Sequence, residues 1–495
     1  MGLAAAGCIT LAATSAALLA WGEDAAAEHR PARCFAAGPA ITGRTFYIDP
    51  ATGSDDGDGS RERPWRSFAE VVSRGLIGDR TYAPSPIRRV LGRLNKRWAH
   101  SSPRRNGNAV VHGGERIYLM DGEHGEIAIY GLLNDAPITI AALPGATAVV
   151  SAISVGRSRE FAFRDLVVSP PTGSGSGFAV TTRRSPDMPR STDIRFARLD
   201  IRGPGNIADT SPDTWASQGR DGVLLFGDCL ALEDSTISNV RYGAAIYQTD
   251  RATIARNTIK DFAVDGIDFT GNDVVIADNV ITDHWPAGAG LHSDCIQGQV
   301  SAKDPMYRRI RVTGNVCLSD TGPRHSRELQ GINIFDGHWQ DLTVSCNFVR
   351  PSIYHGITLM GVDRALVERN VVQGWGPDKT PWIAIFASKE GRQPTDALIR
   401  HNRATAYLNA ADGAGADPDR LVNSIRLGPD ATFFRQYVQQ RVTGVTLADN
   451  AWMLPGPDMS RDRRFAQPAL QAVRGPISVE QAKASIAEIC PRPAG

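Results

Sequence analysis

Asp265, Asp268 and Asp294 are the residues of this 495-residue chain whose type and spacing point most directly to chemistry. Brought onto one surface, three like charges raise one another's proton affinity, so that one carboxyl stays protonated while another ionises. Glycoside hydrolysis needs that division into acid and nucleophile or base, and the carboxyl separation selects retention or inversion. His292 and His355 are candidate assistants to the three aspartates. The same carboxylates are hard oxygen donors, and calcium is their candidate ligand in a rival chemistry, β-elimination from a uronate. That reaction also needs a base and a cation beside the developing enolate, which Lys389, with Arg392 or Arg324, would supply. Gln297, Gln330 and Asn333 are candidate substrate-binding residues, as are Trp285, Trp339, Trp375 and Trp382, whose ring faces can stack on sugars.

The elements that would gather these residues are internal repeats. Asn or its equivalent precedes a short apolar run at Asp165, Asp200, Ser235, Asn257, Asn279, Asn315, Asn347, Asn370 and Asn402, with two successive gaps of 22 residues. Between these anchors a second phrase recurs, beginning at Asp221, Tyr242, Asp265, Asp294, Gln330, His355 and Pro381. Alternating apolar residues put one face of each short strand inward. A unit of this size cannot bury that face alone, so units must stack. The fold class is therefore all-β: a right-handed parallel β-helix with three strands per rung, about 22 residues to a rung, rungs ~4.8 Å apart and an N-terminal capping helix. The sharp bends need left-handed backbone, which the Asn column is expected to adopt while its amides bond along the stack. Ile267 and Phe269 should point inward. Asp268, Gln297, Asn333 and Thr358 should form one outward column, and Asp265, Asp294, Gln330 and His355 another. The longest insertions lie between about 280 and 330, where loops would wall a groove suited to a linear polymer.

With these phrases the chain resembles the pectate-lyase-like superfamily of secreted β-helix proteins. The opening Thr45–Asp49 strand, the polar turn Gly53–Ser60 and the Pro64–Val72 segment look like that superfamily's edge strand, turn and capping helix. The resemblance covers roughly residues 45–450. A partial resemblance to the polygalacturonase family rests on Asp265 in Val264–Asp268, on Ser293-Asp294 and on Tyr354-His355-Gly356. It implies an acid-catalysed hydrolase. The sequence departs from that family where Ser293 replaces the expected proton-donating Asp and where the Gln330 rung intervenes. The expected activity is hydrolysis of a polysaccharide, the alternatives being calcium-dependent elimination on a uronate-containing glycan and a non-catalytic glycan-binding or surface-structural β-helix.

A net charge of +1 excludes a globally basic nucleic-acid binder. The expected partner is a polysaccharide, acidic or neutral. Residues 1–27 read as a signal peptide, 28–115 as an N-terminal cap with a basic insertion, 116–455 as the β-helix and 456–495 as a tail with a short helix. The expected location is secreted or periplasmic, with no membrane span once the signal is removed. No cofactor is required for hydrolysis. Asp55, Asp56 and Asp58 form a second acidic turn that could hold calcium. Seven cysteines contain no CxxC, which leaves zinc-ribbon chemistry without support; Cys34 could join Cys490 across the termini, the alternative being buried free thiols.

Overall fold

The computed structural model describes residue 34 and residues 43–82, 103–173, 177–183, 189–206, 209–285, 292–300, 306–322, 328–375, 381–408, 442–454, 470–471 and 476–490. They form the expected coil. One face stacks Glu126–Tyr130, Ala152–Gly156, Phe178–Arg183, Asp221–Leu225, the first halves of Ala244–Ala255 and Ile267–Ala277, then Asp294–Gln299, Gln330–Phe335, His355–Met360 and Trp382–Phe386, all parallel. A second face runs from Thr45–Ile48 through Arg116–Leu119, Leu132–Ala142, Arg159–Arg164 and Ser191–Ala197 to Val445–Ala448. Ala244–Ala255 and Ile267–Ala277 continue around the corner, so these two faces fuse into one 24-stranded sheet. A 13-stranded sheet closes the third side.

Thr45–Ile48 pairs in parallel with Arg116–Leu119, so the coil starts at Thr45 rather than at residue 116. The capping segment is inserted between these two strands. Its helix, Phe68–Ser73, is capped by the Ser67 hydroxyl and buries Phe68 and Val71 against the core. Leu470–Gln471 pairs with the end of Ala451–Leu454, which carries β structure past residue 455. Inside the coil, Phe161, Phe163 and Phe196 stack at centroid distances of 6.4 and 5.2 Å. Val274, Ile276, Ile310, Val312, Leu342 and Val344 continue the fully buried column. Each such side chain contributes roughly 1.5–3 kcal/mol by leaving water.

The Asn column is buried, and its amides bond rung to rung. Asn257 donates to Asn279, Asn279 to Asn315, Asn315 to Asn347, Asn347 to Asn370, Asn370 to Asn402 and Asn402 to Asn450, at 2.9–3.0 Å. The left-handed residue, however, is the one before each Asn: Arg256, Asp278, Gly314, Cys346, Arg369, His401 and Asp449 have φ of 51–70°. The amide needs extended backbone to lie in the stack, so the bend falls on the preceding position, whose side chain lies on the outside of the coil. From Asp165 through Arg198, Asp234 and Arg256 to Asp278 the charges there alternate, and Asp165 with Arg198 and Asp234 with Arg256 form two-pronged ion pairs of 2.6–3.0 Å.

Cys34 and Cys490, which the sequence allows to join, do not pair with each other. The disulfides are Cys34–Cys229, Cys295–Cys317 and Cys346–Cys490. The C-terminal helix, Val479–Ile489, opens on a Ser478/Gln481 capping box. It lies along the outside of the 13-stranded sheet against Val280, Val316, Leu318, Phe348 and Val371, which places Cys490 beside Cys346 rather than near Cys34. Among the described residues no helix is long and apolar enough to cross a membrane. Residues 1–27, and most of the basic insertion, lie outside them.

Candidate active site

The site is built from one phrase repeated on successive rungs, an outward residue, a small residue, an inward Ile and a second outward residue. Gly266 occupies the small position because a Cβ there would sit 2.5 Å from the Cys295 carbonyl oxygen of the next rung. This close packing brings the first and fourth residues of each phrase together on one wall. Gln297 Nε2 donates to Asp294 Oδ2 at 2.7 Å, Asn333 Nδ2 to Gln330 Oε1 at 3.1 Å, and His355 Nδ1 lies 3.0 Å from Thr358 Oγ1. Both expected columns form: Asp268 pairs with Gln297, Gln297 with Asn333 and Asn333 with Thr358, while Asp294 pairs with Gln330. Ile267 and Phe269 point inward and are fully buried.

The three carboxylates meet on this wall as expected, but they are covered rather than open: Asp265 is 7% exposed, Asp268 6% and Asp294 0%. Each is held separately. Asp265 Oδ1 accepts the backbone N–H of Asp294 at 2.7 Å. Asp268 Oδ2 accepts the Tyr247 hydroxyl at 3.1 Å, and Asp268 Oδ1 is buried without a hydrogen-bond partner. Asp294 takes Gln297 on one oxygen and Asn333 on the other. None of the three forms an ion pair among the described residues. Other buried acids do: Arg241 holds Asp221 at 2.9 and 3.1 Å, and Arg195 and Arg256 hold Glu233.

Burial without a cation raises the proton affinity of the whole group. Burial is the largest cause for Asp265, followed by repulsion from Asp268 and Asp294. Asp294 is raised by burial and by Asp268, against the pull of its two amide donors. Burial pushes Asp268 up to about 7, against the Tyr247 hydrogen bond. Carboxyls this close titrate as a unit, and the unit retains a proton near neutral pH. Tyr242, one rung before Asp265, and Tyr247 are raised in turn by burial and by these acids. Both tyrosines were missed in the sequence. Tyr242 opens the same phrase as Asp265, and that shared position is the signal that could have found it.

The other candidates divide. His355 stands in the Gln330 column and is 7% exposed. Its ring is enclosed by Phe335, Tyr354 and Trp382 at 4.8–5.3 Å, and burial drives its pKa down to about 3, so it is neutral. His292 is exposed, two residues before Asp294. Gln330 and Asn333 are buried and bonded within the wall, and only Gln297 is half-exposed. The tryptophans correct the sequence reading. Trp339 is an inward core residue, edge-on to Phe269 at 5.6 Å, and offers no face to a ligand. Trp382 is 1% exposed, stacks on Tyr354 and donates to Thr358, which braces His355 from the side. Trp285 bonds Asp261 and packs near Trp215, off this face. Trp375 bonds Ser319 and lies under the Arg350 guanidinium.

Lys389 is paired with Asp336 at 2.8 Å beyond the far end of the strands, and Arg392 with Asp363 at 2.9 Å, so neither stands by the carboxylates. Arg324 and the loops 286–291, 301–305 and 323–327, expected to wall the groove, lie outside the described residues. No three or more His, Cys, Asp or Glu among the described residues are arranged to hold a metal ion. The acidic turn is solvated: Asp55 pairs with Arg66 and Asp58 with Arg63.

A family model described as "Right handed beta helix region" matches residues 221–374, the stretch that contains all three aspartates. The coil expected of a pectate-lyase-like protein is the fold of this chain. No curated protein matches the sequence. Among solved structures, a GH136 lacto-N-biosidase from Eubacterium ramulus is 12% identical, with a TM-score of 0.41 over 72% of this chain. The match spans 63% of that enzyme, less than two thirds of its length. A PL6 family polysaccharide lyase from Pseudopedobacter saltans is 14% identical, with a TM-score of 0.42 over 75% of this chain and 94% of that one.

Proposed function

We propose that the chain is a secreted polysaccharide-cleaving enzyme, a glycoside hydrolase whose acid and base are drawn from the Asp265, Asp268 and Asp294 cluster. The observation that carries this reading is three buried carboxylates on two adjacent rungs with no cation among the described residues to neutralise them. Isolated buried acids cost several kcal/mol, which a purely structural wall would avoid by placing arginines there, as it does at Asp221. Asp265 and Asp268 are the outer two and meet the substrate. One gives its proton to the glycosidic oxygen, and the other, ionised, attacks the anomeric carbon or activates water. Asp294, braced by Gln297 and Asn333, lies beneath them and adds its repulsion to the proton affinity of the cluster. The stack of parallel strands offers a linear wall along which a polymer can lie. Three disulfides and the apolar leader agree with export to an oxidising compartment.

The test is a screen of the purified chain on neutral and acidic polysaccharides. New reducing ends without new ultraviolet absorbance are expected. An absorbing unsaturated product would replace hydrolysis with elimination. No cleavage of any glycan would leave a binding or structural coil.

A further inference from the structure

A second feature lies on the other face of the coil, near its N-terminal end. Arg116, Tyr118, Thr139, Ala141, Arg164 and Arg198 line a pocket of about 420 Å³, within the ~300–1,000 Å³ span of small-molecule sites. Three arginines face it with a single acid, Asp165. Arg198 already takes both oxygens of Asp165, at 2.6 and 2.8 Å. Arg116 lies 5.0 Å over the Tyr118 ring and donates to its hydroxyl. The Arg164 Nε is buried and has no hydrogen-bond partner. Burial, then Arg198, Arg195 and Arg116, hold the Arg164 pKa below its ordinary value, so the pocket stores like-charge repulsion that an anion would relieve.

Alternation of in and out along Arg159–Arg164 fixes this outcome. Phe161 and Phe163 are buried in the coil, which leaves Arg164 on the outer surface. Strand pairing then puts Arg164 beside Ala141 of one neighbour and Ala197 of the other. Small flanking residues leave a hollow, and a planar guanidinium in it is suited to a two-pronged hold on a carboxylate. The Tyr118 ring and the alanines add a flat, partly apolar floor to which an inorganic anion has nothing to offer, but against which a sugar ring can pack.

We propose that this pocket binds the carboxylate-bearing ring of a hexuronate, with Arg164 and Arg116 on the carboxylate and Tyr118 against the ring. It lies four strand positions before Ile267–Ala277 on that face, roughly 19 Å along the axis at ~4.8 Å a rung. It is thus separate from the carboxylate cluster and independent of what that cluster catalyses.

The experiment is calorimetric titration of the full chain with D-glucuronate, D-glucose and inorganic sulfate. Wild type and Asp294→Asn are expected to bind glucuronate equally, and glucose not to bind. Arg164→Gln should weaken glucuronate by about tenfold or more, the loss of a charged hydrogen-bond pair. Tyr118→Ala should weaken glucuronate but not sulfate, and it keeps the test alive if Arg164→Gln misfolds. No glucuronate binding by wild type, or binding indifferent to both substitutions, overturns the proposal. Sulfate bound as tightly as glucuronate overturns the uronate assignment.

Discussion

The Tyr247 hydroxyl donates to Asp268 Oδ2 at 3.1 Å and leaves Asp268 Oδ1 buried and unmatched. One oxygen of the carboxyl is thus anchored while the other has no hydrogen-bond partner. The hydrogen bond favours the ionised form, and burial opposes it. Tyr247→Phe therefore raises the proton affinity of Asp268 further. If Asp268 supplies the catalytic proton, the alkaline limb of the pH–rate profile, set near 7 in wild type, should move upward. A limb that moves down, or stays put, would remove Asp268 from that role.

Asp294→Asn should abolish cleavage, with a loss of about 100-fold or more, and leave the circular dichroism spectrum unchanged. Its side chain already sits between two amides. Full activity in this variant would show that the cluster is not the reaction centre.

The cluster should also make the fold pH-sensitive in a defined direction. Asp268 has a folded pKa of about 7 against an ordinary 3.8, so the folded state binds more protons than the unfolded between those values. Stability from this group is present below pH 4 and is lost as pH rises through 7. Asp268→Asn removes the ionisation, so its melting temperature should gain on wild type between pH 5 and pH 8. Thermal melts at the two pH values measure this, and a gap that shrinks would contradict the burial argument.

Asn315 holds one step of the inner ladder. It accepts from the Asn279 backbone and side chain and donates to Ile276, Thr313 and Asn347. Asn315→Ala leaves several buried groups unmatched at ~1–3 kcal/mol each, so urea unfolding should show a loss of at least about 3 kcal/mol. Asn315→Ser should cost less, since Ser235 already occupies this column and accepts from Leu199.

Cys295 and Cys317 are 0% and 2% exposed and cross the inside of the coil directly under the Asp294 rung. Reductant should not reach this bond until the coil opens, as thiol labelling before and after denaturation will show. The double Ala variant should lose about 3 kcal/mol, the value for a closed loop of this size.

Much of the wall was legible because its rules are local. A two-residue period, a tight small-residue position and a recurring outward pair placed Asp265, Asp268 and Asp294 in their columns without any long-range information. Burial was not legible, because it depends on what surrounds the wall rather than on the strand itself. Trp339 illustrates the difficulty: alternation back from Leu342 and Val344 would turn it outward, but the left-handed backbone at Asp341 shifts the phase and carries it inside. The bend position was misread by one residue for a related reason. Asn marks the corner conspicuously, but it marks the hydrogen-bonded stack, and the strained backbone belongs to a variable neighbour such as Arg256 or Cys346. Disulfide pairing across 195 and 144 residues has no local signature at all.

The alternating charges at the outer corner have an implication for synthesis. Asp165, Arg198, Asp234, Arg256 and Asp278 occupy that corner on consecutive coils. Over these five coils, a nascent chain that skipped a turn would lay acid on acid or base on base, whereas correct winding sets opposites together. In this stretch the corner therefore works as a counting device, by which near-identical layers can be told from the ones after them.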